Sequence, residues 1–239
     1  AHLNAPVWGR LVLLTLLRDL RAHPPALVHV QSREILSRGA KLAALLGRPL
    51  VLTVHDYMGQ GERLRFDASR GNRIIAVSQS VKSELLDGTG LADRVVSVIH
   101  SGVDAPQNVD GAPVLDPGHV PVVGPAGPLE AVKGIPFFLG AAQKVLAVND
   151  NVQFLVSGAG PEEVHLRRLA RDLGISEHVT FAPNLIDFAS SVEAMDIFCL
   201  PALKQGLGTI MLEAMARGKP VIATRAGGVD SVVEDGKTG

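Results

Sequence analysis

Short apolar runs rich in valine and isoleucine alternate with longer amphipathic stretches along almost the whole chain. The runs are typical of buried strands, and the stretches carry apolar residues at the i, i+3, i+4 spacing of helices that bury one stripe. Nearly continuous apolar strands separated by helices indicate parallel sheets that are covered on both faces. The predicted strands are residues 27–30, 50–54, 73–77, 95–99, 120–123, 152–157, 178–181, 197–200 and 220–224. The predicted helices are residues 34–46, 79–86, 134–148, 161–173, 187–194 and 207–217.

This alternation lapses near the middle of the chain, where residues 104–120 are rich in Pro, Gly, Asp and Asn. We therefore predict an α/β chain of two doubly wound parallel-sheet lobes facing a cleft. The predicted first lobe is residues 1–105, the linker is residues 106–119, and the second lobe is residues 120–239. Because the chain starts without Met and stops at Gly239 on a turn-like sequence, we expect it to be cut at both ends.

Charge and cysteine content exclude several classes of function. The formal net charge of −1 offers no field that would attract nucleic acid, so we expect no nucleic-acid partner. The single cysteine, Cys199, excludes an internal disulfide framework and a cysteine-rich zinc site, and it fits a cytoplasmic protein. The most apolar run, residues 11–17, is far shorter than the roughly 20 residues that span a bilayer. The histidines lack metal-ligand spacing, so no metal site is predicted.

Three loops that follow strands of the second lobe are rich in glycine: residues 124–134, 157–161 and 205–208. Ligands of open parallel sheets bind on such loops, beyond the carboxyl ends of the strands. The two glycines of the third loop lead into a helix, whose first N–H groups and dipole attract anions. Glu213, about one helical turn further, has a carboxylate that could accept hydrogen bonds from a ribose diol. On spacing alone, packing glycines and a solvent-exposed Glu213 are the more common interpretation.

A dense set of motif residues fills the last part of the chain. They are Pro201, Gly206, Gly208, Glu213–Ala216, Gly218, Pro220–Val221, Ala223–Thr224 and Gly227–Gly228, followed by the loop Val229–Gly239. Further blocks precede them in order: Thr53–Asp56, Ile74–Ser78, Ile99–Asp104, Val156–Glu162, Val179–Phe181 and Ala194–Asp196. Together these collinear motifs closely resemble the retaining glycosyltransferases of family 4, also called group 1. The resemblance covers nearly the whole chain and is more specific than any one motif.

The resemblance implies the GT-B fold, in which the C-terminal lobe binds a nucleotide sugar and the N-terminal lobe binds most of the acceptor. It implies transfer of a sugar to an acceptor hydroxyl with retention of the anomeric configuration. No metal and no cofactor are expected, apart from the nucleotide diphosphate-sugar as co-substrate. The acceptor is unidentified (a glycan, a lipid or a small molecule), and peripheral contact with the inner face of the membrane stays open. On the same resemblance, the first lobe is incomplete and the last helices of the second lobe are missing.

Carried over position by position, the resemblance assigns catalytic roles to His55, Lys133 and Gln205. His55 would reach the donor sugar, and Lys133 would neutralise the diphosphate leaving group as its charge grows. Glu213 would hold the ribose hydroxyls, and Asn184 would lie near the base. The residues expected to bind the donor are Gly127, Lys133, Gly158, Asn184, Gln205, Gly206, Leu207, Gly208, Thr209 and Glu213.

Two departures from the family pattern leave the activity open. Gln205 stands where the family has its first signature acid, and an amide can bond to hydroxyls but supplies no charge. Pro128 stands where the family usually has a phosphate-clamping arginine. Arg217 or Arg225 would compensate only if one of them lay near the phosphates, and arginines of this kind are more often surface charges. The alternative to a transferase is therefore a non-catalytic sugar-nucleotide-binding or scaffold homologue, whereas a sugar-nucleotide epimerase lacks a convincing acid–base set of carboxylates.

Overall fold

The structure is a computed structural model that describes residues 8–59, 61–104, 118–183 and 188–239. The chain divides into two compact units, Ala1–His100 and Ser101–Gly239. Of the predicted linker, residues 106–119, all but the last two positions lie outside the described residues. Each unit is therefore considered by itself.

The first unit is built around a four-stranded sheet. Its strands are β1 (Val28–Val30), β2 (Leu50–Val54), β3 (Arg73–Ala76) and β4 (Val96–Val98), and its helices are α1 (Trp8–Ala22), α2 (Leu36–Leu46) and α3 (Gln79–Thr89). The strand order is β1-β2-β3-β4, and all neighbouring strands are parallel. Leu52 and Ile74 are fully buried, as expected for the inner strands of a parallel sheet. The four predicted strands of this half and both of its predicted helices are confirmed.

The most apolar run of the sequence, residues 11–17, lies within α1, which is 15 residues long. A helix needs about 20 apolar residues to cross the hydrocarbon core of a bilayer. Throughout the described ranges, no helix combines that length with sufficient hydropathy.

The second unit is built around a five-stranded sheet. Its strands are β5 (Val122–Gly124), β6 (Gln153–Ser157), β7 (Val179–Ala182), β8 (Ile197–Leu200) and β9 (Val221–Ala223), and its helices are α4 (Ile135–Leu146), α5 (Glu163–Asp172), α6 (Ala189–Glu193) and α7 (Thr209–Ala216). The order is β7-β6-β5-β8-β9, again with every pair parallel. The five predicted strands and four predicted helices of this half are confirmed.

Strand β8 shows that helices cover both faces of this sheet. Phe198 and Leu200 join an apolar cluster with α6 and α7, whereas Cys199 joins a cluster with α4 and α5. Because neighbouring residues of a strand point to opposite faces, the two clusters lie on opposite sides of the sheet. Burial raises the pKa of the Cys199 thiol to about 12, so this thiol stays protonated and unreactive near neutral pH.

The start of α5 differs from the prediction. Pro161 was expected at the first helical position, but the helix begins at Glu163 and Pro161 lies in the preceding turn. The backbone N–H of Glu162 donates to the carbonyl of Leu129, 3.1 Å away in the loop after β5. A contact with a distant segment therefore fixes this turn, and local propensity alone could not place the helix start.

Candidate functional site

The strand order of the second unit reverses its direction at β5, and we use the word crevice for the position at the carboxyl ends of β5 and β8. The chain leaves β5 towards β6 and β7, and then crosses back to form β8 on the other side of β5. The helices that follow β5 and β8, α4 and α7, belong to the two opposite apolar clusters. The loops after β5 and β8 therefore lead to opposite faces of the sheet, and the carboxyl ends of these two strands are the usual ligand position of such a sheet.

Two predicted catalytic residues meet at this crevice. Lys133 lies in the loop between β5 and α4, and Gln205 lies in the loop between β8 and α7. The ammonium group of Lys133 donates to Oε1 of Gln205 over 3.0 Å, although the residues are 72 positions apart. The backbone N–H of Leu203 also donates to the carbonyl of Val132 over 2.9 Å, which ties the two loops together.

The Lys133–Gln205 contact leaves a net positive charge at the crevice. The partner of the ammonium group is an uncharged amide oxygen, which satisfies a hydrogen bond without cancelling the charge. Both side chains are partly buried, so solvent screens this charge less than it would at an open surface. The arrangement is suited to an anionic ligand.

Glycine is required where these loops approach one another. At Gly134, a Cβ would lie 2.0 Å from the carbonyl oxygen of Pro201, and the φ of +67° already disfavours other residues. At Gly158, a Cβ would lie 1.9 Å from the carbonyl oxygen of Gly127, with a φ of +145°. Gly127 and Gly158 are both predicted to bind the donor, and the structure gives Gly158 a packing role against the backbone of Gly127. Their contact with a donor stays a prediction.

Helix α7 directs its N-terminus to the same edge of the sheet. Its first intrahelical bond runs from the N–H of Leu212 to the carbonyl of Gly208 over 3.1 Å, so the N–H groups of residues 209–211 precede the helical ladder. The residue at the N-cap, Gly208, has no side chain to cap them. Thr209 is exposed, whereas the preceding Gly206, Leu207 and Gly208 are buried. The helix dipole adds attraction for an anion here.

Glu213 lies on the face of α7 that lines a cavity of about 600 Å³. Thr209, Glu213 and Arg217 recur every four residues and line this cavity together with Ala189 and the segment 102–104. The Glu213 side chain is 33% exposed, and its Oε2 lies 3.9 Å from Nη1 of Arg217. Glu213 is therefore a partly buried residue in the wall of a cavity, and its contact with a ribose stays a prediction.

His55 belongs to the first unit and directly follows β2. Its ring is exposed, and its Nε2 lies 3.3 Å from Oε1 of Gln31, which follows the neighbouring strand β1. Gln31 also contacts the ring of His29 at 3.2 Å. Sequence reasoning missed Gln31, although a polar residue directly after an apolar strand was the available signal. The role of His55 at a donor sugar stays a prediction.

Three further residues were considered for the donor site: Asn184, Pro128 and Arg225. Asn184 lies outside the described residues. Pro128 is exposed beside Gly127. Arg225 is 74% exposed and pairs with Asp230 and Asp235, each at 3.8 Å, so other carboxylates already balance its charge. Where the structure describes the chain, no group of three His, Cys, Asp or Glu side chains could hold a metal ion.

Comparison with known families covers nearly the whole chain. A family model described as Glycosyl transferases group 1 matches residues 120–239, and one described as Glycosyltransferase Family 4 matches residues 3–106. The D-inositol 3-phosphate glycosyltransferase of Corynebacterium jeikeium is 32% identical over 184 residues, or 70% of this chain and 44% of that protein. An uncharacterized glycosyltransferase of Haemophilus influenzae is 26% identical over 206 residues, which cover 84% of this chain and 51% of that protein. The chain spans about half the length of these curated relatives.

Solved structures show the same fold. HepE of Anabaena, solved in complex with UDP and glucose, matches with a TM-score of 0.76 and 24% identity, covering 95% of this chain and 67% of that chain. WaaG, a glycosyltransferase involved in lipopolysaccharide biosynthesis, matches with a TM-score of 0.68 and 16% identity. The match covers 89% of this chain and 63% of that chain. These likenesses confirm the predicted α/β fold of GT-B type.

Proposed function

The chain belongs to the group 1 glycosyltransferases, and we propose that it takes part in transferring a sugar from a nucleotide diphosphate-sugar to an acceptor hydroxyl with retention of the anomeric configuration. The observation that carries this proposal is the Lys133–Gln205 contact at the crevice beside β5. A diphosphate is the leaving group of such a transfer, and a fixed cation beside it stabilises the charge that develops as the glycosidic bond breaks.

Two further features of the second unit support a nucleotide diphosphate as the ligand. The N-terminus of α7 offers N–H groups and a positive dipole end at the same edge of the sheet as Lys133. Glu213, one turn into α7, lines the cavity and offers carboxylate oxygens to a ribose diol. HepE has been solved in complex with UDP-glucose, which supports a nucleotide sugar as the class of donor.

The proposed reaction needs no protein nucleophile. The bond between the anomeric carbon and the phosphate oxygen breaks, and the acceptor oxygen bonds to that carbon from the same face of the sugar. The acceptor proton passes to the leaving phosphate, whose charge Lys133 and the N-terminus of α7 stabilise. His55 would contact the donor sugar near the reacting carbon. We also propose that the protein is cytoplasmic and that the reaction needs no metal ion. The acceptor is not identified.

A panel of nucleotides tests the proposal. We expect UDP, GDP or ADP to bind and to raise the melting temperature, because a ligand at 100 times its Kd stabilises the folded state by about 2.7 kcal/mol. Calorimetric titration of the protein with the three diphosphates and their glucose conjugates measures affinity and base preference. The corresponding nucleosides, which lack phosphates, are the control and should bind more weakly. Failure of the entire panel to bind would contradict a donor site.

Pro128 offers a test between a donor pocket that lacks one phosphate contact and a scaffold homologue without a phosphate pocket. It is exposed beside Gly127, where the family usually has an arginine, and Arg225 is already paired elsewhere. We expect Pro128→Arg to tighten binding of the preferred nucleoside diphosphate about tenfold, because a charge-assisted hydrogen bond contributes about 1.5–3 kcal/mol. Isothermal titration gives the affinity, with Pro128→Ala as the control for loss of the proline ring. Equal affinities of the two variants would favour a scaffold role without a phosphate pocket.

A further inference from the structure

Arg217 is an arginine to which the proposed reaction assigns no role, and it is not a surface charge. It directly follows the last residue of α7, and its side chain is only 16% exposed, compared with 74% for Arg225. Its Nε is buried and has no hydrogen-bond partner among the described residues. Burying a guanidinium group in this way is costly unless nearby groups compensate its charge.

Arg217 contacts Glu213, one helical turn earlier, through two atoms of that residue. Nη1 of Arg217 donates to the backbone carbonyl of Glu213 over 3.2 Å and lies 3.9 Å from the Oε2 atom of the same residue. Side chains of a helix lean towards its N-terminus, so Arg217 extends back over Glu213. The same guanidinium group therefore contacts both the backbone and the carboxylate of the predicted ribose-binding residue.

A second carboxylate lies near the Nε atom of the guanidinium group. Oε1 of Glu193, the last residue of α6, lies 3.7 Å from Nε of Arg217. Arg217 thus has carboxylates nearby from two helices that pack in the same apolar cluster, and both favour its positive charge. Arg217 and Glu213 both line the cavity, so the guanidinium group lies beside the Glu213 carboxylate there.

We propose that Arg217 is a positioning residue, which holds the Glu213 carboxylate in the orientation that accepts hydrogen bonds from a ribose diol. A glutamate side chain that is free to rotate would lose conformational entropy on binding, and Arg217 reduces that loss in advance. The inference rests on the proposed function, since it assumes a nucleotide in the cavity. It extends that function by assigning ribose selectivity to a pair of residues.

The test compares ribose with deoxyribose. The affinities of UDP, GDP and ADP and of their 2′-deoxy counterparts are measured by calorimetry for the wild type, Arg217→Gln, Arg217→Lys and Glu213→Ala. For the base that binds best, we expect the wild type to prefer the ribonucleotide about tenfold, the size of a hydrogen bond to a charged group. In Arg217→Gln the preference should fall below about threefold, with affinity for the deoxynucleotide nearly unchanged.

Lysine at position 217 keeps the charge but lacks the planar fork, so Arg217→Lys should show an intermediate preference. If Arg217→Gln does not fold, Arg217→Lys carries the test. Arg167→Gln is the matched control, because Arg167 pairs with Glu163 at the same i,i+4 spacing on α5, at 2.9 Å. Its ribose preference should equal that of the wild type.

The outcomes separate this inference from the function on which it rests. If Arg217→Gln lost the same affinity for the ribonucleotide and the deoxynucleotide, the preference for ribose would be intact. Arg217 would then have a purely structural role, and this inference would be overturned while the proposed function stood. A preference that survives in Glu213→Ala, or a wild type without preference, would overturn this inference together with the ribose role of Glu213. If no nucleoside diphosphate binds, the proposed function fails as well.

Discussion

Replacing Lys133 with alanine is expected to lower kcat for sugar transfer by roughly 10²- to 10³-fold, the loss typical of removing one preorganised group from a developing charge. Lys133 supplies the positive charge at the crevice, and its partner Gln205 cannot replace that charge. Affinity for the donor should fall less than kcat, because the charge on the leaving diphosphate grows during the reaction. Steady-state kinetics at saturating donor measure both quantities.

Two variants complete this experiment. Lys144→Ala removes an exposed lysine from the adjoining helix α4 and should leave kcat unchanged. Lys133→Arg keeps the charge but alters its geometry, so it should fall between the wild type and the alanine variant. A kcat for Lys133→Ala within about threefold of the wild type would rule out the role in leaving-group stabilisation. A wild type without transfer activity would favour the non-catalytic alternative.

The second large effect is expected at Gly158. A Cβ there would lie 1.9 Å from the carbonyl oxygen of Gly127, and the φ of +145° is unfavourable for any side chain. We expect Gly158→Ala to lower the free energy of unfolding by about 4 kcal/mol, since backbone strain and overpacking each cost about 1–3 kcal/mol. Urea denaturation followed by circular dichroism measures this change.

Gly140→Ala is the matched control. Gly140 lies inside α4, and a Cβ there would meet no heavy atom within 4 Å. Alanine should stabilise the helix at this position by about 0.5–1 kcal/mol, because it loses less backbone entropy on folding. A Gly158→Ala variant that unfolds at the wild-type urea concentration would show that the two loops do not pack as closely as described.

The sequence was most informative about the strands. β2 and β8 have the same bounds as the predicted runs, Leu50–Val54 and Ile197–Leu200. Inner strands of a parallel sheet are apolar on both faces, so their pattern survives in the sequence without knowledge of their partners. The family was also predictable, because its motifs are short and collinear, and the match to residues 120–239 confirms it.

The candidate site was only partly predictable. Lys133 and Gln205 could be named from their motifs, but their contact depends on which strands lie beside β5. Arg217 and Arg225 were equivalent in the sequence, whereas the side chain of Arg217 is largely buried near two carboxylates and that of Arg225 is exposed and ion-paired. Gly158 had a predicted ligand role, and its close approach to Gly127 became visible only when the two loops were placed together.

The order of residues therefore determined by itself where the strands and helices lie, which family the chain belongs to, and which side chains are candidates for chemistry. These features are encoded locally, in periodicity and in short motifs. The tertiary structure alone decided which loops meet, which charges are compensated and which glycines have to be glycine. Those outcomes depend on distances between residues far apart in the chain, and such distances are set by the order of strands in the sheet and by the packing of helices against it.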